Sequence, residues 1–183
     1  MKRLIIIHGW EGTPDNGWKP WLKNEAEKIG FQVFSPQMPG DKYPRLDEWL
    51  SLINKIIKKA DKDTYFIGHS LGCITVAKYL ESLQRETKVG GAIFVAGFSD
   101  NLAKETHNFT EKPFNGDKVR EHTKKLICIS SEDDPWVPFK IAKNFQEQLK
   151  AKLIIENGKG HFSGSEGINE LPSALNALKE ISK

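Results

Sequence analysis

The chain has 183 residues, 38% of them hydrophobic and 28% charged, and a net charge of +3. That length suits one domain, residues 1–183, and the balance excludes a disordered or fibrous protein. Lysines are interleaved with acids, as in KNEAEK (23–28) and KKADKD (58–63), so the charge forms no basic stripe and no nucleic-acid partner is expected.

RLIIIHG (3–9) reads as a first strand; its apolar run is too short for a signal peptide or a membrane span. Trp18, Trp21, Leu22, Ala26 and Ile29 then form a helical stripe closed by Gly30 as a C-terminal cap. FQVFS (31–35) is a second strand. In the helix that follows, Leu46, Trp49, Leu50, Ile53, Ile56 and Ile57 share one stripe. Asp47 and Glu48 in its first turn and Lys58 and Lys59 in its last complement the helix dipole. TYFIG (64–68), GAIFVAG (91–97), KLICISS (125–131) and KLIIENG (152–158) complete the strands. Ile141, Phe145 and Leu149 mark one later helix, and Leu171, Leu175, Leu178 and Ile181 the last. Strands apolar on both faces, alternating with helices, predict an α/β fold: a doubly wound parallel sheet of about six strands. Residues 98–125 show no clear helical stripe and read as an irregular insertion, the kind of long connection that covers or lines a site. Cys73 and Cys128 sit in apolar contexts with no disulfide framework, which points to a reducing, cytoplasmic setting. The sequon at Asn108 carries no weight without secretion.

The chemistry collects around Gly68-His69-Ser70-Leu71-Gly72, which follows a strand and opens a helix. That context makes G-x-S-x-G a nucleophile elbow: a sharp turn holds the serine in a strained conformation, and the helix N-terminus faces any oxyanion that forms. The bland alternative is a glycine-rich turn with an incidental serine. A serine hydroxyl needs a base. Of the five histidines, His8 and His69 belong to the motif loops and His107 and His122 to the insertion. His161, in NGKGHFSG directly after the last strand, lies where parallel sheets place their chemistry. The base needs an orienting acid, and SSEDDPWVP offers Glu132, Asp133 and Asp134. Pro135 biases Asp134 toward an extended conformation that carries its carboxylate across the end of the sheet. HGWEGTPDNGW, after the first strand, supplies glycines and the Trp10 N–H as an oxyanion donor beside that of Leu71.

Taken together, His8-Gly9, the serine motif, Asp134-Pro135-Trp136-Val137-Pro138 and Gly160-His161-Phe162 resemble the α/β-hydrolase superfamily. The chain is similar to its small, capless serine hydrolases of the retinoblastoma-binding protein type, with PQMPGDKYPRLDEWL and SSEDDPWVPF the most alike in wording. The resemblance implies a minimal α/β-hydrolase fold lacking the superfamily's first two strands, with strand order 2-1-3-4-5-6. It implies a Ser70–Asp134–His161 triad with Trp10 and Leu71 amides as oxyanion donors, and it calls for no cofactor and no metal. The expected function is cleavage of small ester or related acyl bonds through an acyl-enzyme, with a thioesterase or peptidase differing only in the acyl substrate. The alternative is a scaffold on this fold that binds a protein partner. Phe109 and Phe114, the best apolar contacts of the insertion, are the expected walls of the acyl pocket; the alternative is that they merely anchor a surface loop.

Overall fold

The structure is a computed structural model that describes residues 1–183. A single six-stranded sheet runs through it in the order β2-β1-β3-β4-β5-β6, every neighbouring pair parallel. The strands are β1 (Arg3–Ile7), β2 (Gln32–Phe34), β3 (Thr64–His69), β4 (Gly91–Val95), β5 (Leu126–Ser130) and β6 (Lys152–Ile155). This is the order the resemblance implies, and it makes β1 and β3 neighbours at the switch point.

Because side chains alternate across a strand, the unbroken apolar runs feed two cores. Leu4 and Ile6 of β1 join Ile67, Ile93, Val95, Ile127 and Ile129 on one face. There they meet Trp18, Leu22 and Ala26 of α1 (Trp18–Lys28) and Ala174, Leu175 and Leu178 of α7 (Pro172–Ile181). Ile5, Ile7, Phe66, Phe94 and Cys128 enter the opposite core. That core is closed by α2 (Leu46–Ile57), α3 (Leu71–Glu81), α5 (Gly116–His122) and α6 (Phe139–Leu149). α3 is buried from Leu71 to Leu80, as a helix apolar on all sides must be. α1 ends in a Schellman turn: Phe31 N–H donates to the Ala26 carbonyl and Gly30 N–H to Glu27, with Gly30 at φ 90°. Ile29, predicted on the buried stripe, instead forms the C-cap and is 41% exposed. No helix is long and apolar enough to cross a membrane.

The insertion differs from the expectation. Residues 98–125 contain a 3-10 turn at Lys104–Thr106, the four-residue helix α4 (His107–Thr110) and α5. Elements this short cannot display a helical stripe, although Asn115 caps α5 by accepting from the N–H groups of Asp117 and Lys118. Phe109, Phe114 and Val119 of this segment are buried in the same core as α3. The insertion therefore packs as part of the helical layer.

Candidate active site

Ser70 joins β3 to α3 with φ 53° and ψ −118°, a region that costs a residue with a Cβ about 1–3 kcal/mol. The turn is held from both sides, by Ser70 N–H to the Val95 carbonyl and Cys73 N–H to the Ser70 carbonyl, each at 2.9 Å. The flanking glycines are set by close approach. A Cβ on Gly72 would stand 2.3 Å from the Ile7 carbonyl oxygen, and one on Gly68 would stand 2.6 Å from the Gly72 carbonyl. The start of α3 is thus pressed onto β1 and β3, and Ser70 is the residue left at the surface of that junction.

His161, after β6, faces Ser70 across a shared cavity. Its Nδ1 lies 2.8 Å from Asp134 Oδ2 and 3.1 Å from Oδ1. The Asp134 side chain is 2% exposed, and Oδ1 also accepts from the N–H groups of Trp136 and Val137, each at 2.9 Å. Those bonds fix the carboxylate and favour the Nδ1–H tautomer of His161, leaving Nε2 as an acceptor. Ser70 and His161 are not directly hydrogen-bonded; in unliganded sites such bonds are often long and close when substrate arrives.

The His161 loop is clasped by His69, Trp18, Glu166 and Asp133, of which Glu166 is the one the sequence did not single out. His69 Nε2 donates to the His161 carbonyl at 2.8 Å and Trp18 Nε1 to the Phe162 carbonyl at 3.0 Å. Glu166 accepts from His161 N–H at 3.0 Å. Asp133 accepts from Ser131 Oγ, from Gly158 N–H at 2.9 Å and from Gly160 N–H at 3.3 Å. The Ser131 hydroxyl and these amides hold the Asp133 carboxyl below the usual carboxylate range. The two adjacent acids divide the work: Asp134 bonds the imidazole and Asp133 the backbone that carries it.

The loop after β1 is fixed by His8. Its Nε2 accepts from Met38 N–H at 2.9 Å, so its proton sits on Nδ1, 2.7 Å from the Gly9 carbonyl. Burial holds this imidazole below its ordinary range. Trp10 and Leu71 line the cavity with Ser70 and His161; the Trp10 N–H has no backbone acceptor, and Leu71 is the first residue of α3. The cavity has a volume of about 280 Å³, and its apolar wall comes from Leu71, Phe98, Leu102, Ala103, Trp136 and Val137. Phe109 and Phe114 do not reach it. Phe109 is fully buried edge-to-face on Trp49 at 5.2 Å, and Phe114 packs on Phe145 at 5.4 Å. The expectation that they line a pocket is corrected: the segment turns its earlier residues, 98–106, toward Ser70 and buries Phe109 and Phe114 behind them. No three His, Cys, Asp or Glu side chains converge as a metal-binding group.

Comparison with known proteins bears on this geometry. YdeN of Bacillus subtilis is 35% identical over 179 residues, covering 97% of this chain and 94% of its own. The crystal structure of that ydeN gene product superposes with a TM-score of 0.95 at 34% identity, over 99% of this chain and 98% of the other. The serine hydrolase RBBP9 of Rattus norvegicus is 30% identical over 170 residues, 90% of this chain and 89% of its own. Est1E from Butyrivibrio proteoclasticus, solved with ferulic acid bound, shares the fold at a TM-score of 0.78 and 19% identity, over 98% of this chain and 87% of the other. The model of the serine hydrolase family matches residues 4–180, the span from β1 to the end of α7, and the chain belongs to that family.

Proposed function

We propose that the protein is an esterase-type serine hydrolase that cleaves small acyl esters through an acyl-enzyme on Ser70. The observation that carries this reading is the buried Asp134–His161 pair at 2.8 Å, facing a strained serine across an open cavity. Ser70 Oγ attacks the carbonyl carbon while His161 Nε2 takes its proton. Asp134 holds the imidazole in the required tautomer and stabilises the imidazolium. The oxyanion of the tetrahedral intermediate accepts from the N–H groups of Trp10, in the loop after β1, and of Leu71, at the N-terminus of α3. Collapse expels the alkoxide, which takes the proton from His161. A water, deprotonated by the same nitrogen, then attacks the acyl carbonyl; collapse of the second intermediate releases the acid and returns the proton to Ser70.

The test has two parts. A fluorophosphonate should add once per chain, as read by intact mass, and not at all to Ser70→Ala. p-Nitrophenyl acetate and butyrate should be hydrolysed by the parent and not by that variant. Labelling elsewhere, or folded protein inert toward both reagents, would leave the fold serving a binding role instead.

A further inference from the structure

A second cavity meets the first at Ser70. It has a volume of about 210 Å³ and a mostly polar wall that includes Ser70, His161, Asn16, Ser165 and Lys19. Lys19, in the first turn of α1, is only 5% exposed. Its ammonium forms no ion pair and no hydrogen bond within the chain; its aromatic neighbour is Trp18, with Nζ 5.8 Å from the ring centroid. The contrast is Lys78, the other buried lysine, which is paired with Glu81 at 3.5 Å. An unpaired cation taken out of water is costly, and Lys19 lines the same cavity as Ser70 and His161. α1 begins on the same wall with no side-chain cap, so its dipole adds to the positive potential.

Resting on the esterase reading above, we propose that this polar cavity is a carboxylate subsite. The Lys19 ammonium receives the anionic end of a small ester whose other arm lies in the apolar pocket of Phe98, Leu102 and Val137. A single cation with an amide and a hydroxyl beside it suits a monoanion. The two cavities meeting at Ser70 sort a substrate by polarity: the apolar arm on one side of the scissile carbonyl, the carboxylate on the other.

Burial lowers the Lys19 pKa to about 8, so the subsite is cationic below that pH and neutral above it. The other titratable groups on its wall are Glu11 of the β1–α1 loop, His69 of β3 and His161, and His8, just after β1, feels the Lys19 charge from behind; their effects on the chemical step cancel in a ratio of two esters measured at one pH.

The experiment compares two matched pairs. p-Nitrophenyl hemiglutarate against p-nitrophenyl valerate places the carboxylate on the acyl arm; carboxymethyl butyrate against propyl butyrate places it on the alcohol arm. The parent should favour the anionic member of one pair by about 10–100-fold in kcat/KM, the range of a charge-assisted hydrogen bond, and the pair concerned identifies the arm. That ratio should collapse toward one in Lys19→Met. It should also collapse in the parent between pH 7 and pH 9.5, a readout that stands if the variant does not fold. Cleavage of the neutral esters with no anionic preference would overturn the subsite while leaving the hydrolase, and so would a preference that survives both Lys19→Met and pH 9.5. Cleavage of none of the four would instead overturn the esterase reading itself.

Discussion

Replacing Ser70 with glycine should abolish hydrolysis and make the protein more stable. At φ 53° and ψ −118° a residue with a Cβ carries about 1–3 kcal/mol of strain, which glycine does not feel. Against this stands glycine's extra freedom in the unfolded chain, about 0.5–1 kcal/mol. No side-chain hydrogen bond is lost, because Ser70 Oγ opens onto the cavity. The net gain is about 1 kcal/mol, or about 2–4 °C in Tm for a chain of this size. Ser70→Ala is the control: it removes the hydroxyl but keeps the Cβ and the strain, so it should melt close to the parent. Thermal melts of the three proteins, backed by urea unfolding, decide the matter. Ser70→Gly melting at or below Ser70→Ala would mean that the elbow stores no strain.

Asp134→Asn should keep the fold but lower kcat by roughly 10³–10⁴, the loss expected of a misassigned imidazole tautomer. Asp133→Asn, which sets an amide NH₂ against backbone N–H groups of the His161 loop, should lower it about tenfold; the reverse ranking in steady-state kinetics would exchange their roles. Phe109→Ala should cost about 3–5 kcal/mol of stability, as a fully buried phenylalanine does, without altering acyl chain-length preference, whereas Leu102→Ala should alter that preference and leave stability close to the parent's. Stability should fall as pH drops below about 6.5, because burial depresses the folded-state pKa values of His8 and His69. The unfolded chain then binds more protons than the folded one, and stability present above the unfolded pKa is lost toward the folded one. Urea unfolding at pH 7.5 and 5.5 reads this, and an unchanged midpoint would refute it.

Much of this architecture is legible in the sequence because it rests on local rules. The apolar runs that feed both cores and the strand–elbow–helix context of Ser70 are each carried by a few consecutive residues. What is not legible is what depends on contacts between distant segments. The insertion hides its helices because four- and seven-residue elements have no periodicity, and it hides its pocket residues because Phe98 and Phe109, both buried in one core, look alike until the fold sets Phe98 on the cavity wall. Asp133 offers no composition signal for its hold on Gly158 and Gly160, 25 and 27 residues away. Lys19 did carry a signal. At about 100° per residue it falls beside Ala26 on the buried stripe of Trp18 and Leu22, and a lysine on such a stripe asks what it faces.

Three histidines crowd this site, and their hydrogen bonds decide which one can move a proton. The Nε2 of His8 already accepts from Met38 N–H, so protonating it would break that bond and charge a ring that is 3% exposed. His69 spends its Nε2–H on the His161 carbonyl, and its burial, with His161 and Lys19 as nearby positive groups, keeps it neutral well below the ordinary imidazole range. Both are struts, one for the loop that carries Trp10 and one for the loop that carries His161. His161 differs in the single respect that matters. Its protonated nitrogen faces a buried carboxylate while the other is open to the cavity, so a proton arriving at Nε2 is stabilised across the ring by Asp134. The same burial that neutralises the two struts removes both from the choice of base, and the proposed role falls to His161.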